Sequence, residues 1–203
     1  MVRVVLATRN QGKVTELRQI LDGVSTPDGD PIELVGMEAF PQVADVVETG
    51  VTFAANALLK AHAVAQATGL PSIADDSGLA VQVLGGSPGV FSARWAGRHG
   101  DDRANLELLL AQLSDVPDEH RQAHFACAAA FARPDGKEHV LHGRLPGILI
   151  RAPRGTNGFG YDPILVPDGD TRTCAELTAA EKNAISHRGR AFRALAAELP
   201  GLL

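Results

Sequence analysis

The chain has 203 residues, 45% hydrophobic and 21% charged, with a mean hydropathy of zero, a profile that excludes disordered and fibrous chains. At this length a compact chain buries roughly 70% of its extended surface, enough for one sizeable core. Nineteen Lys plus Arg against 24 Asp plus Glu give a net charge of −5, and without a Lys/Arg run this argues against nucleic acid, whose backbone demands clustered cations.

Residues 2–7 predict a short buried strand, rich in Val and ended by Thr8-Arg9-Asn10. Val14, Leu17, Arg18 and Leu21 follow helical spacing, so a helix is expected to start near Gln11 with Asn10 as its cap. After the turn-rich run 25–30, Ile32 to Val35 reads as a second strand. Residues 52–68, with Phe53, Ala57, Leu58, Ala61, Val64 and Ala65, predict a long packed helix closed by Gly69 and Pro71. Ser72-Ile73-Ala74 is expected to be a strand ending in a polar turn at Asp75-Asp76-Ser77-Gly78, with Leu79, Val81 and Val83 alternating in a following segment.

Asp101 or Asp102 caps a helix carrying Leu106, Leu109, Leu110 and Leu113. Residues 123–132 and 138–145 flank Pro134-Asp135-Gly136, a hairpin signal, and a further strand pair is expected at 147–151 and 163–166. Thr178-Ala179-Ala180-Glu181 is a capping-box pattern, opening a helical region that runs to about Leu199. Alternation early and hairpins later indicate an α/β chain with a mixed sheet and flanking helices.

Two cysteines, Cys127 and Cys174, stand alone in sequence, so neither a disulfide framework nor a CxxC metal site is expected. Reduced thiols fit a cytoplasmic address. The opening decapeptide is too short an apolar run for a signal peptide, and no stretch approaches the ~20 apolar residues of a transmembrane helix.

Chemistry-bearing residues gather at four strand ends. Thr8-Arg9-Asn10-Gln11-Gly12-Lys13 leads into a helix whose N-terminal N–H groups, with Lys13, form a phosphate cradle or else a plain capped turn. It is not a Walker A loop, since one Gly is present and Val14 follows the Lys. Adjacent Asp75 and Asp76 are costly after a buried strand unless they meet cations, hydrogen bonds or water. In extended chain they point to opposite faces, so one can enter a site while the other braces the turn. Such a carboxylate suits Mg²⁺ bound together with substrate phosphates, the alternative being an exposed Asp-rich turn. Glu48 before the Ala-rich helix is a second metal carboxylate or a complement to the helix dipole. Gly158-Phe159-Gly160 offers an aromatic platform with close backbone approach, and Lys182, His187 and Arg188 concentrate cations in an acidic chain.

The segments 6–13, 48–60, 73–79, 158–163 and 180–188 together resemble the inosine/xanthosine triphosphate pyrophosphatase family, in the expected order, from about residue 3 to about 197. The resemblance implies a single two-lobed domain spanning 1–203, with a nucleotide cleft, usually as a homodimer. It implies Mg²⁺-dependent hydrolysis of non-standard purine nucleoside triphosphates (ITP, dITP, XTP) to the monophosphate and pyrophosphate. By similarity Asp76 is catalytic and a metal ligand, and Glu48 helps hold the metal. Thr8, Arg9, Asn10, Gln11, Gly12, Lys13, Lys60 and Ser77 embrace the triphosphate. Phe159, Gly160, Tyr161, Asp162, Lys182, His187 and Arg188 hold the base and adjoining groups. Arg9 departs from the family pattern, where Gly is common, and is read as touching phosphate or pointing to solvent. A nucleotide-binding sensor without turnover, or a pyrophosphatase for another modified triphosphate, are the competing functions.

Overall fold

The computed structural model describes residues 1–21 and 23–203, and the side chains of all of these except positions 11, 12 and 16. Strands β1 (Val2–Leu6), β2 (Ile32–Gly36), β3 (Ser72–Val81), β4 (Gln122–Ala132), β5 (Glu138–Leu149) and β6 (Leu165–Pro167) form one sheet in the order β2-β1-β3-β4-β5-β6. The sheet is mixed: β1 runs parallel to β2 and β3, whereas β5 and β6 are antiparallel. The helices are α1 (Gln11–Ile20), α2 (Phe53–Thr68), α3 (Asp102–Gln112), α4 (Ala179–Ile185) and α5 (His187–Leu202).

The chain divides into two compact units. The first comprises Met1–Asp76, Cys127–Gly143 and Arg188–Leu203, and its stretch of sheet is covered by helices on both faces. On one face, Val14 and Leu17 of α1 and Ala191, Phe192 and Leu195 of α5 pack with Ile73, Cys127, Ala129 and Phe131. On the other, Ala57, Ala61 and Ala65 of α2 pack with Ala74, Ala128, Ala130 and Ala132. The alternation of Ile73 with Ala74, and of Cys127-Ala129-Phe131 with the intervening alanines, is the period-two pattern of a strand buried on both sides. Alanines at i, i+4 and i+8 of α2 meeting alanines on the strands let helix and sheet approach closely.

The second unit comprises Ser77–Ala126 and Arg144–His187. Its core joins Leu79 and Val81, Leu106, Leu109 and Leu113 of α3, Leu145 and Leu149 of β5, and Tyr161, Ile164 and Leu165.

Most expected elements appear near their expected bounds. Asn10 and Asp101 cap α1 and α3, accepting from the N–H of Lys13 and Ala104, and Gly69 closes α2 at φ +68°. Three expectations are corrected. The polar turn at 75–78 does not form, because β3 runs through it from Ser72 to Val81 while cations and an amide receive the Asp75 and Asp76 side chains. Residues 138–149 make one strand, not two, although β6 pairs with its end as expected. The C-terminal helical region is split at Ser186 (φ −61°, ψ 151°), with α4 before it and α5 after. No helix among the described residues is long and apolar enough to cross a membrane.

Candidate active site

In the first unit the site is built around the middle of β3. Because β3 alternates, Asp75 follows Ile73 toward α1 and α5, and Asp76 follows Ala74 toward α2. Asp75, 3% exposed, accepts from Lys13 Nζ at 3.0 and 2.9 Å and from Arg188 Nε at 3.3 Å. Burial by itself raises its pKa, but the charges of Lys13, Arg188 and Lys60 outweigh that and hold its carboxyl well below the usual carboxylate range. Asp75 is therefore an anion fixed between two cations from separate helices.

Asp76 has the opposite balance. Burial is the largest influence and raises its pKa, Lys60 and a hydrogen bond from Asn56 pull it down, and the charges of Glu48 and Asp75 push it up again. The net direction is upward, which makes its carboxylate the stronger base of the two. Asn56 Nδ2 donates to Asp76 Oδ2 at 3.0 Å, and Lys60 Nζ donates to Glu48 Oε1 at 2.5 Å. Asn56 and Lys60 stand four residues apart on α2 and so share one face.

The loop after β1 is organised by its own side chains. Asn10 Oδ1 accepts from the Lys13 N–H at 3.1 Å, and Thr8 Oγ1 accepts from the Asn10 N–H at 3.2 Å. Lys13 is consequently directed back to β3 by the same helix turn that presents N–H groups at the α1 terminus. Arg9 donates to Asp45 Oδ1 at 2.8 Å and to the Val43 carbonyl at 2.5 Å. Gln11 and Gly12 lie in the first turn of α1; the Gln11 side chain lies outside the described residues.

The second unit gathers the other predicted residues. Asp162, 2% exposed, accepts from the Phe159 N–H at 2.8 Å and from Lys182 Nζ. That closed loop needs Gly158: at φ +75° a Cβ would run into the Asp162 carboxylate. Gly160 donates its N–H to Asp102 Oδ2 at 2.9 Å, tying the loop to the first residue of α3. The Phe159 ring is thus presented 57% exposed, with Lys182 Nζ 5.2 Å from its centroid. Tyr161 is buried and donates its hydroxyl to the Ser92 carbonyl at 2.9 Å; burial, then the charge of Asp102, pushes its pKa up. His187 is buried and stacked on Phe125 at 5.0 Å. Ser77, half-buried, lies on β3 just beyond Asp76. Lys182 is held on α4 by a complete capping box between Thr178 and Glu181. Hydrogen bonds from Thr178 and Arg172 bring the Glu181 carboxyl down to about 2.

Among the described residues no group of three or more His, Cys, Asp or Glu side chains is placed to hold a metal ion by itself. Magnesium requires less, since one or two carboxylates suffice when phosphate oxygens and water complete the octahedron. The donor set of Glu48 and Asp76 fits that requirement: two hard oxygen ligands, the charge of Glu48 adding to burial in raising the pKa of Asp76, a repulsion that a divalent cation relieves.

Two residues near these groups are not singled out for the site by the sequence: Asn56 and Asp102 look like ordinary helix residues until their partners are known. The i, i+4 spacing of Asn56 and Lys60 was the available signal.

Comparison with known proteins identifies the family. A family model described as the Ham1 family matches residues 4–198. The chain is 70% identical over 195 residues to a dITP/XTP pyrophosphatase of Streptomyces coelicolor, covering 96% of each. Among solved structures it is similar to a HAM1 protein from Coxiella burnetii (40% identity, TM-score 0.90, 99% of this chain and 100% of that one). It is also similar to a nucleoside-triphosphatase, dITP/XTP pyrophosphatase, from Mycobacterium abscessus (53% identity, TM-score 0.80, 98% and 100% covered).

Proposed function

The chain belongs to the Ham1 family, and on that premise we propose that it hydrolyses dITP, XTP and ITP to the corresponding monophosphate and pyrophosphate, clearing non-standard purines from the nucleotide pool. The observation that carries the reading is the division of labour between adjacent carboxylates on β3. Asp75 is neutralised by Lys13 and Arg188, while Asp76, with its raised pKa, stands beside Lys60 and Glu48.

In the reaction, a water oxygen attacks the α-phosphorus and the bond to the bridging oxygen breaks, so pyrophosphate leaves with that oxygen. Asp76 takes the proton of the attacking water. Charge gathering on the leaving group is met by Lys13, Lys60 and the N–H groups at the α1 terminus. Glu48 and Asp76 would hold Mg²⁺, which supplies further charge neutralisation on the phosphate oxygens. Phe159 would stack on the base, with Lys182 and Asp162 fixing the loop that presents it. Hypoxanthine and xanthine carry acceptors at O6 and N7, matched by the guanidinium of Arg188, whose Nε is fixed by Asp75; adenine offers a donor at N6 instead. A mismatch of that kind costs about 1–3 kcal/mol per bidentate contact.

Magnesium as the metal and a homodimer rest on the family resemblance, and a cytoplasmic compartment on the two isolated cysteines. The test is a panel of dITP, XTP, ITP, GTP and ATP with Mg²⁺, ranked by kcat/KM with products separated by ion chromatography. Monophosphate and pyrophosphate are expected, with the deaminated purines preferred. Diphosphate with inorganic phosphate, or binding without turnover, overturns the reading.

A further inference from the structure

Asn56 is fully buried on α2, and both halves of its carboxamide are engaged. Its Nδ2 donates to Asp76 Oδ2 at 3.0 Å, while its Oδ1 accepts from the Gly50 N–H at 2.7 Å. An amide has one donating and one accepting end, and here each end meets its complement: the backbone N–H requires the oxygen, so the NH₂ must face the carboxylate. Gly50 lies two residues after Glu48, and Glu48 returns to the same helix through Lys60. Asn56, Gly50, Glu48 and Lys60 therefore close a circuit whose two ends rest on one turn of α2, and Asp76 is joined to it through Asn56.

The close approach at Gly50 supports this. A Cβ there would lie 2.6 Å from Asn56 Oδ1, 2.8 Å from Ala55 Cβ and 2.9 Å from the Asn56 backbone nitrogen. The last of these cannot move without unwinding the first turn of α2. The absence of a side chain at position 50 is thus a condition of the Asn56 contact. The alanine face of α2 against β3 and β4 brings the helix close enough to the sheet for so short a side chain to reach Asp76.

We infer that Asn56 is a positioning residue that couples the Asp76 carboxylate to the loop carrying Glu48, setting the two carboxylates in register. The inference builds on the pyrophosphatase reading and adds a residue to which that reading gives no part. Loss of either bond of a buried amide costs stability whatever its role; a coupling residue is set apart by a fall in kcat of the folded variant at little changed KM.

The experiment uses Asn56→Asp, Asn56→Ala and Asp76→Ala in the full chain. Asn56→Asp keeps the size and the acceptor for Gly50 but replaces the donor to Asp76 with a second carboxylate, whereas Asn56→Ala removes both contacts without adding charge. Hydrogen exchange of the Gly50 amide should remain slow in Asn56→Asp and become fast in Asn56→Ala. The side-chain NH₂ resonance of Asn56 should shift in Asp76→Ala. With dITP, both Asn56 variants should lose ~10–100-fold in kcat, the usual range for a residue supporting a ligand or catalytic group, while KM changes by no more than about twofold. Wild-type kcat in Asn56→Asp, unchanged Gly50 exchange in Asn56→Ala, or an unmoved Asn56 resonance overturns the inference. If the wild-type chain fails to cleave dITP, the pyrophosphatase reading falls and the two amide measurements still decide the coupling.

Discussion

Replacing Asp75 by Asn tests whether the buried anion on β3 organises the site. The substitution preserves shape, removes the charge and turns one accepting oxygen into a donor. Of the two cations it neutralises, the Lys13 side chain is 21% exposed and can turn to water, but that of Arg188 is 7% exposed. The Arg188 guanidinium therefore loses a buried anionic partner, and breaking a buried ion pair costs about 3–5 kcal/mol. For a chain of this size each kcal/mol moves Tm by about 2–4 °C, so a decrease of about 6–20 °C is expected by calorimetry near neutral pH, with the loss in free energy read by urea titration. The sign with pH follows from the depressed native pKa of Asp75. Its stabilisation is fully present above the unfolded-state value of about 3.9 and fades as pH falls below that toward the native value. The gap between wild type and variant should therefore be constant from pH 8 to 5 and narrow in acid. A loss below about 1 kcal/mol at neutral pH, or a gap that widens in acid, would refute the reasoning.

Three further outcomes are expected. Asp76→Asn should lower kcat by ~10²–10⁴-fold, the range lost with a general base, with little change in KM, measured by pyrophosphate release. Thr178→Ala removes half of the capping box that holds α4 and Lys182 and should cost about 1 kcal/mol, read as a Tm decrease of about 2–4 °C. Burial, followed by the charge of Asp162, pushes the Cys174 thiol up to about 12, and Cys127 is also buried. Iodoacetamide at pH 8 should leave both unmodified in the native chain and alkylate both in urea, by mass spectrometry; rapid native labelling would place them outside the core.

Local chemistry made much of this protein legible in its sequence. Asn10, Thr178 and the Asp101-Asp102 pair announce helix starts because a side-chain oxygen needs only the N–H groups two or three residues ahead, and Asn10, Asp101 and Thr178 do cap helices. Gly69 announces the end of α2 for an equally local reason. The mixed α/β order and the chemistry-bearing strand ends follow from the same short-range patterns, and the five motifs in order led to the family. The net charge of −5 argued against a long phosphate backbone, and it says nothing of where Lys13, Arg188 and Lys60 surround one carboxylate. That depended on the tertiary structure. Asp75 and Asp76 looked like a turn because two adjacent carboxylates in a buried strand are prohibitive alone. They sit within β3 because cations 62 and 113 residues away in sequence meet the first, and an amide on α2 meets the second. The unequal basicity of the two, and the engagement of Asn56 at both ends, arise from long-range contacts, since burial and Coulomb energy depend on distance in space and not on spacing along the chain.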